Sequence, residues 1–180
     1  MRRYVMLLMT ALLSLASVAA VSADGKGDTA VESAAMRCSA ISLMHSTLTT
    51  PSPQFGQVMG EIAGLYAQVY AVQQEARTKQ KLNNTELRKR RDVILTEISK
   101  GWPKNKTAVV RDAAICNVWR IDFFSKLSEK TSEKEFQAAL ASLAPPPESV
   151  SKPEIDKWNG LTPQAVAIWA KIQLQASQKK

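Results

Sequence analysis

Histidine is almost missing from this chain: His45 is the single one in 180 residues. Nucleophilic catalysis of the Ser-His-Asp or Cys-His kind needs a histidine base and a third group to orient it. His45 could serve only Cys38, seven residues earlier. On one helix that is ~10.5 Å along the axis, beyond hydrogen-bond reach. Cysteine is scarce as well. Cys38 and Cys116 are too far apart in sequence for a CxxC redox centre or a CxxCH haem site. There is no HxxxH, HExxH or paired CxxC. The soft donors Met36, Cys38, Met44 and His45 do not converge, because the adjacent Met44 and His45 point about 100° apart on a helix. No metal and no cofactor is expected. Alternating strands are missing too, and no internal repeat is visible, so the fold class expected is all-α.

What the chain does have begins with an export signal. Arg2 and Arg3 precede an apolar run from Tyr4 to Val21, and Val21-Ser22-Ala23 offers the small residues of a processing site. Residues 1–23 read as a signal peptide cleaved after Ala23, giving a periplasmic or secreted protein. An uncleaved anchor is the competing reading, because the run approaches the ~18 residues that span a bilayer. No later stretch is apolar for long enough, so no transmembrane segment is expected after cleavage. Those 23 residues hold two arginines and no acid, which leaves 22 basic residues against 16 acidic ones, a net +6. In an oxidising compartment the even pair Cys38 and Cys116 reads as a disulfide.

Helical periodicity fills the rest. A first helix is expected over about 29–49, with Val31, Ala35, Cys38, Ile41, His45 and Leu48 inward. A second is expected over 53–79, entered through Ser52 as N-cap and Pro53 at the first position. Its apolar face is Phe55, Val58, Met59, Ile62, Tyr66, Val69 and Tyr70. The third is expected over 85–100, behind the break at Asn83-Asn84-Thr85 and closed by Gly101. The fourth runs over 106–130 with Val109, Ala113, Cys116, Trp119 and Phe123 inward. Ser132 and Glu135 have capping-box spacing and open a fifth. Short loops favour a disulfide-tied up-down four-helix bundle, in which the first and fourth helices face each other across Cys38 and Cys116. The bundle domain spans 24–144. Residues 145–180 form a joint at Pro145-Pro146-Pro147 and extra C-terminal helices, a short one near 154–158 and a last one from Pro163 capped by Thr162. They dock on the bundle through Trp158 and Trp169.

Three sets of residues invite a functional reading. Gly56, Gly60 and Gly64 recur every fourth residue of the second helix. Each helical glycine costs about 1 kcal/mol against alanine, so the stripe predicts close packing, within the chain, at a homodimer seam, or in a groove for a partner helix. Arg77, Lys79, Lys81, Arg88, Lys89 and Arg90, with Arg91, crowd the second loop and its flanks. Export argues against nucleic acid. An acidic protein partner or an anionic envelope surface of lipid or lipopolysaccharide fits better. The bland alternative is a solvated face balanced by Glu86–Arg90 and Arg88–Asp92 pairs. Finally, Arg91 lies on an inward stripe between Leu87 and Ile94, and Asp112 lies one turn before Cys116. Buried charge needs a partner, so Arg91 or His45 is expected to pair with Asp112 in a structural polar core.

The functional expectation is a non-enzymatic periplasmic protein that acts through a protein partner, in an accessory, inhibitor or immunity-like role. Its alternatives are direct binding to the anionic envelope and a carboxylate hydrolase. For the last, Glu61 beside the glycine stripe is the residue to test.

Overall fold

A computed structural model describes residues 27–130 and 132–178; the export signal expected over 1–23 lies outside them. The described residues form six helices and no strand. These are α1 (Ala30–His45), α2 (Phe55–Thr78), α3 (Asn84–Gly101), α4 (Lys106–Leu127), α5 (Glu133–Ala141) and α6 (Lys152–Ser177). No helix among them is long and apolar enough to cross a membrane.

Three capping boxes form among the described residues, including the Ser132–Glu135 box expected from its spacing. Thr29 with Glu32, Asn83 with Glu86, and Ser132 with Glu135 each satisfy backbone donors of a first turn reciprocally. The start of α2 differs from expectation. Gln54 is its N-cap, without a side-chain bond, and Phe55 N–H donates to the Ser52 carbonyl (3.1 Å). Ser52 therefore serves through its backbone rather than its hydroxyl.

α1 is the centre of the molecule. It packs on α2, α3, α4 and α6. Small residues make this possible: Ala35, Ser39, Ala40 and Ser42 are buried on several sides of the helix, together with Met36, Cys38, Ile41 and Met44. A helix surrounded by others loses its polar face. The sequence pattern predicts only a single inward stripe here. Of its members, Ala35, Cys38, Ile41, His45 and Leu48 are buried and Val31 is half-buried.

The disulfide forms between Cys38 of α1 and Cys116 of α4, with Cα atoms 5.5 Å apart. Tyr66 donates its hydroxyl to the Cys116 carbonyl. Trp119 stacks on Tyr66, with centroids 5.5 Å apart, and Phe123 meets both rings edge-on. Trp119 Nε1–H also donates to the Ala144 carbonyl (3.1 Å), which fixes the chain just before the triple proline.

The C-terminal segment is one helix, not two. α6 runs unbroken through Pro163, packs chiefly on α4, and also meets α1 and α3. An interior proline removes one hydrogen bond and crowds the carbonyl four residues back, at about 3 kcal/mol. Burial on both sides of it opposes the break: Trp158 and Thr162 precede Pro163, Ala165 and Val166 follow it, and all four are buried. Thr162 is no cap, because its hydroxyl is engaged with His45.

Candidate functional site: the cleft between α2 and α3

α2 and α3 are joined by the short loop 79–83, yet their backbones barely approach each other. Each packs on α1 instead, and a wedge opens between them. The cleft there measures about 410 Å³. Its α2 wall is Gly64, Ala67, Gln68 and Ala71, and its α3 side is Leu82, Asn84, Leu87, Arg88 and Arg91.

The glycine stripe is thus divided. A Cβ on Gly56 would lie 2.6 Å from the carbonyl oxygens of both Ser46 and Leu48, so the backbone after α1 passes directly over it. Gly60 has ordinary space, with Ser46 Cβ 3.8 Å from where its own Cβ would sit. Gly64 is exposed, with nothing within 4 Å. Close packing therefore holds at Gly56 only, and the far end of the stripe faces the open cleft.

The basic residues part in the same way. Arg77 forms a two-pronged pair with the fully buried Glu32 (Nε–Oε1 2.9 Å, Nη2–Oε2 3.0 Å), and this holds its guanidinium above the usual range. Arg90 donates to the Tyr70 hydroxyl and lies over that ring, 5.5 Å from its centroid. Tyr70 donates in turn to Asp28 Oδ2 (3.1 Å), and burial followed by the Asp28 charge pushes its phenol well up. Arg77 and Arg90 thus tie α2 and α3 to the start of α1. Lys79 turns back to the Ala76 carbonyl (2.9 Å). Lys81, Arg88, Lys89 and Arg91 make no ion pair or side-chain hydrogen bond among the described residues. The balancing pairs Glu86–Arg90 and Arg88–Asp92 do not form, because Glu86 caps Asn83 and Arg90 has turned to Tyr70. Arg91 is half-buried, and its Nε is out of contact with water and unpartnered. Burial lowers its guanidinium from the usual range; the Asp92 charge opposes that shift and the Arg88 charge adds to it.

The polar core is arranged differently from the sequence expectation. Asp112 pairs with Arg37 (Nε–Oδ2 2.6 Å), not with Arg91 or His45. Arg37 lies beside Cys38, just off the inward stripe, and its long side chain reaches across the disulfide joint. His45 is fully buried and turns to α6. Its Nδ1 bonds the Ile41 carbonyl (2.8 Å) and its Nε2 meets Thr162 Oγ1 (3.1 Å). A carbonyl only accepts, so Nδ1 carries the proton and Nε2 accepts from the Thr162 hydroxyl. Trp158 stands edge-on to the imidazole, with centroids 5.0 Å apart. Burial lowers the His45 pKa to about 4, so the ring is neutral at pH 7.

Glu32 and Asp28 are the polar residues that periodicity alone passes over. The Thr29-x-x-Glu32 spacing carries the available signal, since it marks Glu32 as a capping residue. Glu61 is exposed and accepts from Gln57 Nε2 (3.1 Å); it does not line the cleft. No three His, Cys, Asp or Glu side chains gather into a possible metal site among the described residues.

Fold and site together define a disulfide-tied all-α protein with an arginine-edged cleft between two of its helices. No protein-family model, no curated protein and no solved structure matches the chain.

Proposed function

We propose that this chain is a non-enzymatic protein of an exported compartment that acts by docking a protein partner, in an accessory, inhibitory or immunity-like role. The observation that carries the reading is the α2–α3 cleft: a concave surface with small apolar side chains on one wall and, on the other, arginines that form no ion pair among the described residues. Rigid support for such a surface comes from the Cys38–Cys116 bond and the α1-centred core. An up-down course for the first four helices belongs to the same proposal, with α1 at the centre rather than at a corner.

A second reading has its own support. Lys79, Lys81, Arg88 and Lys89 are exposed around the 79–83 loop, and no carboxylate pairs with any of them among the described residues. Such a face suits anionic lipid or lipopolysaccharide.

Salt separates the two. The test is capture of partners by the oxidised protein from an envelope extract of its own host, at low and high salt, with quantitation by mass spectrometry. One stoichiometric protein that stays bound at high salt is the expected result, since an apolar interface is little screened. Envelope material lost at high salt would favour the second reading. Nothing bound in either condition would remove both.

A further inference from the structure

Of the surfaces on this molecule, the cleft between α2 and α3 says most about what would fill it. We infer that it receives an amphipathic helix of a partner protein, whose apolar face carries an aspartate or glutamate that pairs with Arg88 and Arg91. This deepens the docking reading and rests on it.

Shape argues for a helix. Gly64, Ala67 and Ala71 stand three and four residues apart on one face of α2, so they form a nearly bare ridge. A helix can approach such a ridge at the short end of the usual spacing, about 8 Å between axes. Leu82 and Leu87 on the opposite side offer apolar contact to its flank.

Charge argues for an acid. Arg88 and Arg91 are one helical turn apart, both line the cleft, and neither forms an ion pair or hydrogen bond with a carboxylate among the described residues. The buried Nε of Arg91 lacks any acceptor. A carboxylate in the cleft would give the half-buried guanidinium a charge-assisted partner.

Two other occupants fit less well. A second copy of this chain, packed stripe to stripe about a two-fold axis, would set the arginines of both copies against each other. A lipid headgroup plane meets convex basic surface, whereas Arg91 sits half-buried inside a wedge.

The test is selection from a display library of amphipathic helical peptides against the oxidised protein, followed by anisotropy titration of the selected peptides. The expected result is enrichment of Asp or Glu among aliphatic residues on one face. Binding should fall at least about tenfold in Arg91→Ala and in Gly64→Trp, the loss of one charge-assisted contact or of the space. It should stay unchanged in Gly160→Trp, a control on α6, where a Cβ also meets nothing within 4 Å. Circular dichroism would confirm that all three variants fold. Selected peptides without an acid, or binding that survives Gly64→Trp, overturn the inference. The docking reading would then stand or fall on capture of a native partner alone. Phosphatidylglycerol vesicles that bind the protein, and cease to bind in Gly64→Trp, would also overturn it in favour of lipid.

Discussion

The joint of α1 with α4 and α6 and the wedge between α2 and α3 treat polar side chains in opposite ways. At the joint, Arg37 has Asp112, His45 has Ile41 and Thr162, and Glu154 accepts from both Asn117 (2.7 Å) and Trp158 (3.1 Å). In the wedge, Arg88 and Arg91 form no ion pair or side-chain hydrogen bond among the described residues, and α2 presents bare backbone at Gly64. Polar groups at the joint specify how the helices meet. Those in the wedge take no part in holding the fold, so a fold-level account leaves them unexplained.

The largest effect should follow removal of the disulfide. The bond joins residues 78 apart, and the chain-entropy relation then gives about 4.5 kcal/mol. The Cys38→Ala/Cys116→Ala protein should melt more than about 10 °C lower by circular dichroism. A drop of only a degree or two would mean that the joint stands without its covalent bond.

His45 should make the joint sensitive to acid. Its folded pKa, about 4, lies below the 6.5 of a solvated imidazole. The unfolded chain therefore takes up a proton first as pH falls. The contribution of the neutral ring is complete above pH 6.5 and is lost on descent towards pH 4, by roughly 3 kcal/mol in total. Urea midpoints measured across that window should fall less steeply in His45→Phe than in the wild type. Parallel slopes would show that the imidazole is not shielded from water.

The two ends of the glycine stripe should respond with opposite signs. In Gly56→Ala the new methyl must displace backbone at Ser46 and Leu48, and a loss of about 2 kcal/mol is expected. In Gly64→Ala the methyl meets open space, and the better helix former should stabilise the protein by up to about 1 kcal/mol. Chemical denaturation of both variants decides the matter. Equal destabilisation at the two sites would show that the cleft is closed in solution.

Local signals in the sequence were legible because they depend on near neighbours. The Asn83 and Ser132 caps and the core stripe of Val109, Ala113, Cys116, Trp119 and Phe123 need only spacing within one helix. The disulfide was legible from the number of cysteines and the expected compartment. Non-local pairing was not. The partner of Asp112 depends on how α1 crosses α4, and Arg37 lies off the stripe that periodicity singles out. The partner of His45 depends on α6, which a proline-based reading divides at Pro163. The glycines carried half a message: spacing shows that they share a face, but only the third dimension separates the covered Gly56 from the open Gly64.

The Cys38–Cys116 bond has one more consequence, for chain integrity. It closes a covalent ring that contains α2, α3 and every loop from Ser46 to Asn105. The exposed Lys79 and Lys81 offer trypsin its targets inside that ring, at the mouth of the cleft. A cut there would release no fragment. The nicked protein would migrate as one species on a gel until a reductant parted it in two, with the cleft's α2 wall on one piece and its α3 wall on the other.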